Sequence, residues 1–172
     1  MANIEPLTKK ILKWEGGYTD DPVDRGDATN MGVTLATWHR AGYDKDGDGD
    51  IDENDLRSLS HHDAIMVLRL FYWNRWRADE IFSQAIAEIL VDWLWCSGKW
   101  GIIIPQRILG VADDGIAGRY TLAAVNHSDP RELHRQVYES RIQFIQRIIR
   151  RDPKQKRFEK GWMNRLNDFT YQ

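Results

Sequence analysis

Residues 84–97 read Gln-Ala-Ile-Ala-Glu-Ile-Leu-Val-Asp-Trp-Leu-Trp-Cys-Ser, a run that is apolar on nearly every side of a helix. Such a helix has to be enclosed by the rest of its chain. Ser83 stands where an N-cap belongs. The run falls short of the roughly 20 apolar residues that a bilayer span requires, so it predicts a central buried helix and no transmembrane segment. Cys96 lies in this run and is the only cysteine, which excludes an internal disulfide and reads as a buried, inert thiol. Asp92 sits in the middle of the run and must be hydrogen-bonded there. An internal anchor and a substrate contact are both open readings for it.

The other apolar positions are also spaced for helices. Ile4, Leu7, Ile11 and Leu12 form one stripe over 4–15, which Gly16-Gly17 ends. Residues 18–33, rich in Asp, Pro, Gly, Thr and Asn, read as a structured loop with room for a short hairpin. Thr34 caps a helix to about Ala41, stopped by Gly42, and Ser60 caps another over 61–72. Shorter helices are expected over 101–110 and 119–126, and Asp129-Pro130 opens a long amphipathic helix to about Arg151. Strand-like alternation is scarce, and neither an internal repeat nor a low-complexity linker is present. The 172 residues, 42% of them hydrophobic, suffice for one domain or two small packed lobes. The class is mainly α.

Charge is unevenly distributed. Residues 131–172 carry a formal +6 and residues 1–130 carry −8. The basic part reads either as an attractor of anionic polymers or as a solvated helix face. Segment 44–55 alone carries −6, in the order Asp-Lys-Asp-Gly-Asp-Gly-Asp-Ile-Asp-Glu-Asn-Asp. This is the pattern of an EF-hand-like calcium loop. Asp44, Asp46 and Asp48 take positions 1, 3 and 5, and Gly49 is the sharp-turn glycine at position 6. Asp50 offers its carbonyl at position 7, Ile51 is the apolar position 8, and Asp52 is position 9. Position 12 departs, with Asp55 where a bidentate Glu is usual; a shorter side chain supplies one oxygen and weakens affinity. A bound Ca2+ here is expected to be a structural staple, since sensors need a bistable helix pair. His61-His62 has no Cys or His partners at ligand spacing, so no zinc site is expected.

Glu15 follows Ile11 by four residues and Leu12 by three, which places it on the apolar face at the end of the first helix, beside Trp14. Desolvation and the negative end of the helix dipole there both favour a carboxyl that keeps its proton, as the acid of glycoside hydrolysis must. A solvated helix-end Glu is the plain alternative. The glycines after it let another chain or a sugar approach. The 8 Trp and 6 Tyr include candidates for stacking on sugar rings: Tyr18, Trp73, Trp76, Trp93, Trp95 and Trp100. Most of them are expected in the core, and Tyr18, Trp93 and Trp100 are taken as substrate-binding candidates.

Trp14-Glu15-Gly16-Gly17-Tyr18, then Asp21-Pro22-x-Asp24-x-Gly26, then Thr29-Asn30-x-Gly32-Val33-Thr34 resembles the N-terminal signature of glycoside hydrolase family 108. These are lysozyme-like N-acetylmuramidases, some of them described as secretion activators. The resemblance continues through Val91-Asp92-Trp93 to Ser97-Gly98. It resumes in Gln106-x-x-Leu109-Gly110-Val111 and Asp114-Gly115-Ile116-x-Gly118-x-x-Thr121-Leu122-x-Ala124, which looks like a peptidoglycan-binding module.

The resemblance implies a lysozyme-like helical fold with a cleft. A catalytic region with the calcium loop would span 1–96, and a peptidoglycan-binding-like helical region would span 97–172. It implies hydrolysis of the β-1,4 bond between N-acetylmuramic acid and N-acetylglucosamine, with Glu15 as general acid. The partner would be peptidoglycan glycan strands rather than nucleic acid. The spacing of phage-type lysozymes (Glu, eight residues, Asp, five residues, Thr) leads from Glu15 to Asp24 and then to Asn30, with Thr29 one residue early. Asp24 is then nucleophile, base, electrostatic partner or simply a turn residue, and Thr29 or Asn30 holds the attacking water. A lytic transglycosylase and a non-catalytic wall-binding regulator of secretion or lysis remain the alternatives. Met1–Pro6 lacks the basic-then-apolar order of a signal peptide, so synthesis is expected in the bacterial cytoplasm and action in the periplasm or at the wall.

Overall fold

Helix α6, Gln84–Ser97, is the axis of the larger part of the protein, and all nine residues from Ile86 to Leu94 are buried. Ser83 caps it, its side chain accepting the Ile86 N–H. The computed structural model describes residues 1–19 and 28–171. By its internal contacts the chain divides into two units, Met1–Leu7 with Tyr72–Gln172, and Thr8–Phe71. Among the described residues no helix is long and apolar enough to cross a membrane.

In the unit built on α6, the neighbouring helices are the short α5 (Asn74–Trp76), α7 (Trp100–Leu109), α8 (Arg119–His127), α9 (Pro130–Arg151) and α10 (Glu159–Asn167), with a 3-10 stretch at Pro153–Phe158 before the last. Helix α7 packs against α6 so tightly that a Cβ on Gly101 would lie 2.3 Å from the Leu94 nitrogen, so the residue there has to be glycine. Asp129 caps α9 by accepting the Glu132 N–H at 2.8 Å, with Pro130 at its first position. At the other end of the unit the Ala2 N–H donates to the Ile81 carbonyl at 2.8 Å. Asn3 exchanges two bonds with Gln84, its N–H donating to Oε1 and its carbonyl accepting from Nε2. These bonds fix the chain start on the head of α6.

Buried Gln106 organises the turn between α7 and α8. Its Nε2 lies 2.9 Å from Asp114 Oδ1, 3.0 Å from the Ile116 carbonyl and 3.2 Å from Thr121 Oγ1, and its Oε1 accepts the Gly115 N–H at 2.9 Å. The Asp-Gly-Ile-x-Gly motif is therefore held by a single amide, which saturates the polar groups of an otherwise buried turn.

The smaller unit contains most of α1 (Ile4–Trp14), a two-stranded antiparallel ribbon of β1 (Thr29–Asn30) and β2 (Val33–Thr34), and the helices α2 (Leu35–Ala41), α3 (Glu53–Arg57) and α4 (His61–Leu68). Leu7 and Ile11 of α1 are buried, as the stripe requires. Thr34 caps α2 and Gly42 closes it at φ +84°. Ser60 and Asp63 form a capping box on α4.

Three expectations change. Helix α4 stops at Leu68, and residues Arg69–Trp73 form a π-helical turn in place of continuous α-helix. Trp73, the last residue of the π turn, is buried, its Nε1 donating to Asp79 at 2.8 Å. The acidic loop ends earlier than expected because Asp52 caps α3 from Glu53 onward. Cys96 is exposed, since the last turn of α6 emerges from the core after Leu94.

Asp92 of α6 is fully buried. Arg141 of α9 donates from Nη2 to Oδ2 at 2.7 Å. Arg165 of α10 donates from Nε and Nη2 to Oδ1 at 3.0 and 2.8 Å. The carboxylate thus ties three helices together. Burial alone would push its pKa up, but the two guanidiniums outweigh that and hold it below the ordinary carboxylate value. A depressed folded-state pKa stabilises the protein above the unfolded value near 4, and that stability disappears as pH falls through the folded one. Asp92→Asn is expected to destabilise the protein by about 3–5 kcal/mol at neutral pH, because it leaves two buried cations without their anion. It should also flatten the acid limb of a plot of melting temperature against pH, as followed by circular dichroism.

Candidate functional site

Glu15 lies just past the last residue of α1, half-buried, its N–H still donating to the Ile11 carbonyl at 3.0 Å. Gly16 and Gly17 follow, both exposed. Neither has a positive φ, and among the described residues nothing lies within 4 Å of where a Cβ would stand on either. Neither backbone strain nor packing against the described residues therefore calls for glycine here, although two glycines add unfolded-state entropy.

The segment is pinned on its far side. The Gly16 carbonyl accepts the Met31 N–H at 3.2 Å, and Thr19 and Thr29 exchange backbone bonds at 2.8 and 2.9 Å. Met31 and Gly32 make the two-residue turn between β1 and β2, at φ +49° and +77°. Such a turn needs positive φ at both positions, and methionine there is strained.

The ribbon is anchored to α3. Buried Asn30 donates from Nδ2 to the Leu56 carbonyl at 2.8 Å and approaches that of Arg57 at 3.4 Å. Its amide N–H2 is thereby committed to the protein. Thr29, beside it, is half-buried. Tyr18 is held by two charged residues that sequence reasoning did not single out. Its hydroxyl donates to Glu53 Oε2 and accepts from Arg57 Nη2, each at 3.1 Å, and the Arg57 guanidinium lies 4.5 Å from the ring centre. The one available signal was the four-residue spacing of Glu53 and Arg57, which pairs them along a helix at 3.3 Å. Asp24 lies outside the described residues.

In the acidic loop the carboxylates gather in two groups, Asp44 with Asp46 and Asp48, and Asp50 with Asp52 and Asp55. Within each group the oxygens lie within 4.8 Å of one another. Asp44 accepts the N–H groups of Gly47 and Gly49 at 2.5 and 2.8 Å, and Gly49 has φ +103°. Asp55 is buried, and its oxygens accept the N–H groups of Lys45, Asp46 and Asp52. Those N–H groups, the Asp52 bond first, lower its pKa. Asp46 is raised by partial burial and then by its carboxylate neighbours, and Asp50 is raised chiefly by Asp48. An all-oxygen set of mutually repelling carboxylates fits a hard divalent cation such as calcium. Lys45 points away from that set, 2.7 Å from Asp63 of α4, which also accepts from Tyr43 at 2.8 Å. Burial works against ionisation of Asp63, but Lys45, Ser60 and Tyr43 together hold its pKa well below the usual range.

The remaining candidates lie in the other unit. Both oxygens of Asp92 are engaged by arginines, so it acts as an internal anchor. Trp93 is 1% exposed, and Trp73 and Trp76 are wholly buried. Trp100 is 41% exposed, with the Arg107 guanidinium 5.9 Å from its ring centre.

Residues 8–98 match the family model described as glycosyl hydrolase 108, and residues 100–167 match the one described as a predicted peptidoglycan domain. Among solved structures the fold is similar to one titled as the structure of Brucella abortus SagA. That similarity has 27% sequence identity and a TM-score of 0.79, over 95% of this chain and 89% of that one. No curated protein sequence matches.

The Asn30 anchor predicts a measurable cost. Asn30→Ala removes the 2.8 Å donor to the Leu56 carbonyl, which keeps the longer bond from the Leu59 N–H at 3.4 Å, and is expected to lower stability by about 1–3 kcal/mol in urea unfolding. A variant as stable as the parent would show that the ribbon is held by other contacts.

Proposed function

The chain belongs to the glycosyl hydrolase 108 family, and from that premise we propose that it cleaves the β-1,4 bond between N-acetylmuramic acid and N-acetylglucosamine in peptidoglycan. Glu15 is the general acid. The observation that carries this reading is the glycine pair after Glu15, exposed and required by nothing among the described residues. Absent side chains beside a half-buried carboxyl leave open backbone where a polymer can approach the proton donor. The turn at Met31, bonded to Gly16, adds local strain of the kind that collects at functional sites.

In the proposed reaction the Glu15 carboxyl gives its proton to the leaving glycosidic oxygen as the bond to the anomeric carbon lengthens. Asp24 serves the anomeric carbon or its attacking water, and Thr29 lies on the strand from which such a water is held. Tyr18, fixed by Glu53 and Arg57, offers a ring beside the acid. The match over 100–167 supports wall peptidoglycan as the polymer. The site of action is then the periplasm or the wall itself.

The carboxylates of Asp44, Asp46, Asp48, Asp52 and Asp55, with the Asp50 carbonyl, would hold a structural Ca2+. When bound, that ion neutralises the repulsion among them and staples the loop to α3.

Glu15→Gln keeps the shape of the side chain but has no proton to give. It is expected to lower turnover of purified peptidoglycan by about 10²–10⁴-fold, with circular dichroism and substrate binding unchanged. Mass spectrometry of the digest checks both claims. Products with intact reducing ends support hydrolysis, and anhydro ends one water lighter would overturn it in favour of transglycosylation. Asp24→Asn should impair turnover if that carboxylate takes part, and leave it nearly unchanged if it only shapes a turn.

Calcium added after chelation is expected to raise the melting temperature, because a ligand bound only by the native state stabilises it. Asp46→Ala should abolish the shift, and an unmoved melting temperature in the parent protein would overturn the calcium assignment.

A further inference from the structure

The unit built on α6 contains a cavity of about 110 Å³. Trp93, Phe144, Ile148 and Trp162 supply apolar walls, and Cys96 stands at the rim, exposed. The charged groups that line it are two guanidiniums, Arg141 and Arg165. Among the described residues no acidic side chain lines it; Asp92, wholly buried, is bonded by both arginines, and its Oδ2 also accepts from the Cys96 thiol at 3.9 Å. Arg141, Phe144, Ile148, Trp162 and Arg165 fall within residues 100–167, the part that matches the predicted peptidoglycan domain. Trp93 and Cys96 come from the end of the part that matches the glycosyl hydrolase family.

We propose that this cavity receives the carboxylate-bearing end of a peptidoglycan peptide stem, its short aliphatic group against Trp93, Phe144 and Trp162 and its carboxylate toward Arg141 and Arg165. The inference rests on the reading of peptidoglycan as substrate and adds which part of it the larger unit grips. Size comes first. A cavity of about 150 Å³ holds a benzene ring, so this one takes a group of alanine or valine size and is too small for a disaccharide. Charge comes second. Once the lactyl group of muramic acid is amide-linked to the stem, the glycan is neutral, and the free carboxylates of the polymer belong to the stem. The two lining guanidiniums share the single Asp92 carboxylate, which leaves the cluster one formal positive charge, and an apolar pocket of that sign discriminates in favour of the anionic partner.

Cys96 provides the test, because it is the only thiol and stands at the rim. The rate at which iodoacetamide alkylates it in the full-length protein is followed by mass spectrometry. The probes are the stem tetrapeptide L-Ala-γ-D-Glu-meso-diaminopimelate-D-Ala and N-acetylchitotetraose. The tetrapeptide should slow alkylation saturably, by about tenfold when its concentration is about ten times Kd, and the chito-oligosaccharide should leave the rate unchanged. Ile148→Asp puts a carboxylate on the wall and should abolish the protection. Trp162→Ala, which removes a wall without adding charge, should weaken it, with circular dichroism confirming the fold of each. An unchanged rate at millimolar tetrapeptide, equal protection by the oligosaccharide, or full protection in both folded variants would overturn the proposal. The assay reads binding and not turnover. Tetrapeptide protection in a protein that fails to digest peptidoglycan would defeat the hydrolase reading alone, and digestion without protection would defeat this one alone.

Discussion

The Asp92 carboxylate is the constraint on which the larger unit depends. It sits at the centre of the most apolar helix, where an unpaired charge is prohibitive. Arg141 and Arg165 arrive from helices separated from it by 49 and 73 residues of sequence. Replacing such a cluster by hydrocarbon often costs little, whereas removing one member costs much. Its contribution is therefore best seen as specification. Of the ways to lay α9 and α10 on α6, one brings both guanidiniums to the same two oxygens. Gly101 imposes a second condition, since α7 reaches its distance from α6 only where no Cβ intervenes.

The smaller unit is specified differently. Its helices and strands are short, and polar side chains hold them together. Asn30 joins the ribbon to α3, Asp55 gathers three N–H groups of the acidic loop, and Asp63 collects Tyr43, Lys45 and Ser60. Each is a short side chain satisfying backbone or charged groups that a loop-rich fold leaves over. The segment after Glu15 is the exception, with open glycines and a strained methionine turn next to each other. Local departures from what the fold alone would select are where function is most economically sought.

The cavity beside α9 and α10 uses the same arginines that neutralise Asp92. One pair of guanidiniums thus serves both the anchoring of the helices and the lining of a pocket. Side chains whose rotamers are set by a buried ion pair present a preorganised surface.

Much of this was legible in the sequence by itself. The all-round apolar run dictated a buried helix at 84–97, because no other placement hides its surface. The caps at Thr34, Ser60, Ser83 and Asp129 set helix starts locally, since an N-cap acts on N–H groups two or three residues away. The Glu15-Gly16-Gly17 motif and its neighbours pointed to the family that the chain belongs to. The acidic loop was read from spacing alone, but its early end at the Asp52 cap was not. What the tertiary structure decided is what depends on residues far apart in sequence. The partners of Asp92, the clamp of Glu53 and Arg57 on Tyr18, the role of Gln106 in its turn, and the exposure of Cys96 all arise only when separate elements meet. Helical periodicity gives the face a residue occupies within its own element. Which charge or wall it then meets is a property of packing, and no local pattern encodes it.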